Sequence, residues 1–219
     1  MTITELLKEY GSMYVTAALT TWKLTAMAFV LAFILGVFLT VLRVGPIKPL
    51  RIFGDIYVQI FRNIPGAALL ILLVYALPYL DIVLSYYVCV LTATALIPAA
   101  FCSEYLMSGI NMIDPGQIEA ARALGFGFAG IAWKIIIPQA LRSSVLSLTN
   151  LLVATMLTSS LASQVPMKPR DLTGIVSYIN TRAVGGVTAF VISASVYVVT
   201  AILIGQIGNL IDRKVRILK

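Results

Sequence analysis

Few residues in this 219-residue chain could carry covalent chemistry. Histidine is absent, so the chain has no imidazole base and no histidine metal ligand. Cys89 and Cys102 lie thirteen residues apart in one apolar stretch. On a helix that separation is about 20 Å, too far for a disulfide. No G-x-x-x-x-G-K-S/T loop occurs, so ATP hydrolysis has no site in this chain. What remains are polar groups set in apolar surroundings, whose chemistry is non-covalent. Glu104 follows twenty-two uncharged residues, and a carboxylate there is costly unless paired, hydrated or interfacial. Arg62 opens another apolar stretch beside Asn63 and Pro65. Ser147, Asn150, Thr158 and Ser159, with Ser160 and Ser163 nearby, recur at roughly helical spacing. Each has two readings. Arg62 is a fixed charge near a pathway mouth or an interfacial anchor. Glu104 is a pathway or gating group, or a structural partner of Arg62. The hydroxyl and amide stripe lines a wet path or bonds between helices.

A second polar stretch, residues 114–138, stands between long apolar segments and has the signals of a short helix. Asp114 suits an N-cap, Pro115 the first helical position, and Gln117 the third position of a capping box. Glu119 lies near the positive end of the helix dipole and Gly125 supplies the stop, giving a helix over about 114–125. It is too short to cross a bilayer. Ala120 and Ala121 together leave one surface nearly flat, as a docking peg would.

The elements that must position these groups are membrane helices. Hydrophobic residues make up 60% of the chain and charged residues 11%, more apolar surface than a soluble domain of this size can bury. Five uncharged runs follow: Leu24 to Leu42, Asn63 to Leu80, Ile82 to Ser103, Ser143 to Met167 and Ala183 to Ile211. The first helix is expected to start near Thr16, and residues 43–62 to form a cytoplasmic connection, with Pro46 and Pro49 breaking the helix, followed by the entry to the next helix. Pro65, near the start of the second run, is expected to break or kink the helix there, and Pro98 should bend the third run. Gly36, Gly185, Gly186, Gly205 and Gly208 are expected at close helix contacts. These features predict an all-α membrane protein of five crossings, as one domain over residues 1–219.

Charge then orients it. The net charge of +7 comes from basic residues at the ends of apolar runs, which indicates membrane orientation and no nucleic-acid partner. With the C-terminus inside, eleven basic residues face inward: Arg43, Lys48, Arg51, Arg62, Arg122, Lys134, Arg142, Arg213, Lys214, Arg216 and Lys219. Five face outward: Lys8, Lys23, Lys168, Arg170 and Arg182. The N-terminus is thus expected outside the membrane and the 114–125 helix inside. The N-terminal residues lack the basic and small-residue marks of a signal peptide and are expected to be retained.

Glu119-Ala120-Ala121, Gly125 and, nine residues on, Ile135 followed by Ile137-Pro138 resemble the EAA motif (E-A-A-x3-G-x9-I-x-L-P) of permease subunits of bacterial ABC importers. Ile137 in place of Leu is the one departure. Phe61-Arg62-Asn63-Ile64-Pro65 resembles the FRxxP segment of the polar amino acid uptake group, and Gln139 to Arg142 and Ser160 to Ser163 also fit it. The resemblance implies a type I importer permease fold, with Glu119, Ala120, Ala121 and Gly125 on a coupling helix that docks in a cytoplasmic ATPase dimer. It also implies a second permease subunit and an external solute-binding protein. ATP and magnesium belong to the ATPase, and this chain needs no cofactor, metal or catalytic residue. The candidate pathway residues are Arg62, Glu104, Asn150, Thr158 and Ser159.

Many permeases of that group carry Arg where this chain has Met107, and Lys and Asp or Asn where it has Leu157 and Thr158. Groups able to hold an amino acid's charges are thus missing. Either this is the non-binding half of a heterodimer, the preferred expectation, or the solute is held weakly and an external receptor supplies selectivity. Lys168 to Arg182 is an external receptor contact or a short lid. A secondary transporter or channel would need coupling-ion or filter residues, for which Glu104 is the one candidate. A structural scaffold would leave the EAA spacing to chance.

Overall fold

The computed structural model describes residues 2–182 and 185–215, which are overwhelmingly helical with no strand among them. Ala183, the expected start of the fifth run, and residues 216–219 of the tail, Arg216 and Lys219 among them, lie outside the described residues. Helix α1 (Ile3–Val44) begins thirteen residues before the expected Thr16, because its amphipathic first turns bury Leu6 and Tyr14. Helix α2 (Lys48–Asn63) replaces the expected broken connection. Pro49 falls in its first turn, where a missing N–H costs nothing, so the residue starts a helix instead of breaking one.

The run from Asn63 to Leu80 is not one helix. It divides into α3 (Gly66–Ile71), a wide π turn over Leu72–Ala76 and a 3-10 turn over Leu77–Leu80. Helix α4 (Tyr86–Ile110) runs through Pro98 without interruption. Then come α5 (Pro115–Ala123), α6 (Phe128–Ile131), a second π turn (Ala132–Ile136) and α7 (Ile137–Ser143). Helix α8 (Val145–Thr158) ends in a 3-10 turn (Ser159–Gln164), and α9 (Leu172–Arg182) and α10 (Gly186–Val215) follow. Each π turn ends two residues before a proline, Pro78 or Pro138. A proline ring clashes with the carbonyl four residues back and offers it no N–H, and a widened turn relieves that clash.

Among the described residues four helices are long and apolar enough to cross a membrane: α1, α4, α8 with its 3-10 extension, and α10. A fifth crossing exists where Lys48–Asn63 and Gly66–Leu80 count as one broken span. This is a multi-pass, all-α membrane fold.

The chain divides into two compact units. Unit 1 holds residues 1–30, 64–95 and 152–204; unit 2 holds 31–63, 96–151 and 205–219. In unit 1, Leu6, Tyr14, Ala17, Met156, Leu172, Ile175, Ile179, Ala189 and Tyr197 form one buried cluster. Helix α9 is fixed into it by hydrogen bonds at its first turn. The Leu172 N–H donates to Thr21 Oγ1 (3.1 Å), and Ser193 Oγ donates to the Leu172 carbonyl (2.7 Å). In unit 2, Ala32, Leu39 and Ala99 pack with Leu35 and Tyr57. A Cβ on Gly36 would fall 2.5 Å from that of Cys102, and one on Gly208 would overlap Thr149, so both glycines sit at close helix contacts. Gly205 meets nothing within 4 Å, against expectation.

Candidate functional site

Helix α5 forms as its end signals dictate. Asp114 accepts from the Gly116 N–H at 2.8 Å, and Pro115 occupies the first position. Gln117 does not complete a capping box, because its Oε1 instead accepts from Gln139 Nε2 at 2.8 Å and ties α5 to α7. At the other end Gly125 takes φ +80°. Its N–H donates to the Arg122 carbonyl (2.9 Å) and that of Phe126 to the Ala121 carbonyl (3.1 Å), the two bonds of a Schellman stop. Only glycine enters that backbone region without a Cβ penalty.

The two alanines do not share a surface. Ala121 is 4% exposed and packs with Ile131 and Ile136, with Ile110, Ile113, Ile118 and Ile135 around them. Glu119, Ala120, Arg122 and Ala123 are exposed. Ala121 is therefore small because the chain's own isoleucines lie against it, whereas Ala120 leaves room on the outward side. The outward face is free along Glu119 and Ala120, and the inward face is seated on unit 2.

Of the candidate pathway residues, Arg62 and Glu104 come together, and two residues that sequence reasoning passed over join them. Glu104 Oε2 lies 2.8 Å from Arg62 Nη1, while Oε1 lies 2.7 Å from Arg43 Nη2. Arg43 Nε donates to Asp55 Oδ1 at 2.7 Å, and its Nη1 donates to Ser103 Oγ at 3.0 Å. Thr40 Oγ1 in turn lies 3.2 Å from Ser103 Oγ, and the Arg62 guanidinium lies 5.6 Å from the Phe101 ring centre. Two cations and two carboxylates thus close a neutral network joining α1, α2 and α4 within unit 2. The side chains of Arg43 and Glu104 are 11% and 28% exposed, so partial desolvation strengthens each pair beyond its value in water. The signal for Arg43 was present: Arg43 ends the uncharged run from Leu24 and Glu104 ends the run from Ile82.

The polar stripe is divided between the two units. Asn150 is exposed on α8 in unit 2, whereas Thr158 and Ser159 belong to unit 1. Thr158 Oγ1 donates to the Ala154 carbonyl (2.8 Å) and Ser159 Oγ, fully buried, to that of Met156 (2.6 Å). These hydroxyls bond back along their own helix, and their lone pairs are what they present to neighbours.

Known proteins share this fold. Residues 28–217 match the family described as binding-protein-dependent transport system inner membrane component. A Rickettsia bellii protein named as a glutamine transport system permease is 30% identical over 201 residues, 91% of each chain. A Corynebacterium efficiens protein named as a glutamate transport system permease is 33% identical over 168 residues, 71% of this chain and 73% of its own. Among solved structures, an amino acid ABC transporter superposes with TM-score 0.87 at 25% identity, covering 98% of this chain and 99% of that one. The inward-facing MetNI methionine ABC transporter shares the fold, with TM-score 0.76 at 24% identity over 95% of this chain and 99% of its own. With a family match over residues 28–217, a relative spanning nine-tenths of the chain and the same helical fold, this chain belongs to the binding-protein-dependent transport system inner membrane components.

Proposed function

We propose that the chain forms half of the pathway of an ATP-driven amino acid importer and receives mechanical work through α5. The observation that carries this reading is α5 itself, a nine-residue capped helix with Glu119 and Ala120 outward and Ala121 seated on an isoleucine bed. A partner's surface can approach Ala120 closely and press on a helix that transmits the push into unit 2. Two ATPase subunits, holding ATP and magnesium, close and move α5. The bundle turns outward, an external binding protein releases its solute, and hydrolysis resets the inward state. No covalent step falls to this chain. The relatives named for glutamine and glutamate support an amino acid as the solute.

The eleven-to-five distribution of basic residues supports an outside N-terminus and an inside C-terminus, with α5 on the ATPase side. At the level of Glu104 this chain is the half of a heterodimer that holds no solute. Both Glu104 oxygens are engaged by Arg43 and Arg62, and Met107, Leu157 and Thr158 supply no replacement charge.

The test is amino acid uptake and ATPase attachment in cells carrying Glu119→Lys or Gly125→Asp. Both activities should be lost while the chain still inserts in the membrane. Normal uptake by either variant would remove the docking role.

A further inference from the structure

The cations flanking α9 are not answered by carboxylates as Arg43 and Arg62 are. Arg43 and Arg62 of unit 2 meet Asp55 and Glu104, but Lys168, Arg170 and Arg182 of unit 1 form no ion pair among the described residues. The neighbouring Asp171 does not neutralise them. Its Oδ1 accepts from the Gly174 N–H (2.8 Å), and its Oδ2 accepts from the Thr173 N–H (3.1 Å) and hydroxyl, so both oxygens cap α9. The Arg170 guanidinium instead lies 4.2 Å from the Tyr178 ring centre, and that of Arg182 lies 4.7 Å from the same ring. Stacking holds a guanidinium in place and leaves its edge N–H groups free to donate.

Lys168, Arg170 and Tyr178 line a pocket of about 300 Å³ together with Ser163, Ser177 and Thr181. A small solute fits that volume. The three hydroxyls have already placed their protons. Ser163 donates to the Ser160 carbonyl (2.9 Å), Thr181 to that of Tyr178 (2.8 Å) and Ser177 to that of Thr173 (3.3 Å). They offer oxygen lone pairs to the pocket, which suit a donor such as ammonium, while Lys168 and Arg170 suit a carboxylate. On the outward face basic residues are disfavoured, yet of the five assigned there Arg170 and Arg182 stack on this ring and Lys168 lines the same pocket.

We propose that this pocket is an entry-side subsite that receives an α-amino acid as a zwitterion, with its carboxylate at Lys168 and Arg170 and its ammonium at the hydroxyl oxygens. It rests on the proposed importer function and assigns this chain's contact with solute to this pocket and not to Glu104.

The test uses the full chain in lipid nanodiscs without ATPase, with L-glutamine, L-glutamate and L-arginine in turn as probes and saturation-transfer NMR as the readout. At least one should bind saturably, its N-acetyl and carboxamide derivatives less well. Arg170→Gln should weaken binding tenfold or more at an unchanged melting temperature; Tyr178→Ala, which also removes packing on the buried cluster, should weaken it as much, and Tyr178→Phe, which keeps the stack, should bind as the wild type does. Absence of saturable binding for all three, or binding indifferent to Arg170→Gln, would overturn the subsite. Displacement of nothing but a polyglutamate peptide would overturn it too, by giving the pocket to acidic protein side chains. ATPase capture on the same tagged chain is scored separately: capture without amino acid binding sinks the subsite alone, and binding without capture sinks the importer reading alone.

Discussion

Glu104 divides its carboxylate between Arg43 and Arg62, so its removal leaves two partly desolvated guanidinium groups short of a partner. Glu104→Gln should cost about 1–3 kcal/mol, less than a fully buried pair because the side chain is 28% exposed. Thermal unfolding in detergent measures it, and Arg43→Gln added to Glu104→Gln should cost less than the two single losses summed. Strict additivity would mean that the network does not couple them. Sequence reasoning paired Glu104 with Arg62 but missed Arg43 and Asp55, because an ion pair between separate helices depends on how their ends are brought level, which spacing along one helix does not report. Asp171 carries a different charge effect. Burial pushes its carboxyl above the ordinary carboxylate value, while the capping bonds from Thr173 and Gly174 pull it back. The folded chain therefore holds that proton more tightly than the unfolded chain, and the contribution of Asp171 to stability falls as pH rises from below the ordinary carboxylate value through the raised one. Asp171→Asn should flatten the melting temperature across that window; an unchanged slope would assign it to other groups.

At the scale of elements, α5 is where local signals and outcome agree most closely. Asp114, Pro115 and Gly125 each mark a helix end through a backbone requirement that tertiary packing does not alter, and all three act as expected. Gln117 departs because Gln139 offers a competing partner from α7, and no local rule weighs a side chain twenty-two residues away. The alanine pair separates by the same logic: a helix turns about 100° per residue, so neighbours face different sides. Ala121→Leu should destabilise the chain by about 1–3 kcal/mol through overpacking against Ile131 and Ile136. Ala120→Leu should leave melting unchanged and weaken ATPase attachment. If Ala120→Leu melts early and Ala121→Leu does not, the faces are reversed. Gly36→Val is expected to cost a similar 1–3 kcal/mol, since its new Cβ lands on Cys102. Pro65 marks a break that the sequence signalled, with α2 ending at Asn63 and α3 starting at Gly66, whereas Pro49 and the run beyond Ile71 show where sequence signals mislead. Pro49 starts α2, and the run after Pro65 gives three short turns, because an uncharged window measures lipid compatibility and says nothing of whether the backbone stays in one register.

At the scale of the molecule, composition made the membrane class legible, since 60% hydrophobic residues leave no soluble alternative. The number of crossings was legible for α1, α4, α8 and α10 and blurred at the broken pair of α2 and α3 with its following turns, where an amphipathic helix feeds an apolar one. The division into two compact units was not legible, because the four long helices run on through both and no composition change marks the border. In the proposed function what unifies these parts is mechanical: a capped peg, an isoleucine bed beneath it and a charge network tying three helices of the same unit. The most direct measurement is native mass spectrometry of the complex purified through a tag on this chain, from its own cell, for wild type and Glu119→Lys side by side. The account predicts an ATPase dimer and a second, related permease with the wild type, and loss of the ATPase with the permease pair intact in Glu119→Lys. A wild-type chain recovered without any ATPase would contradict it.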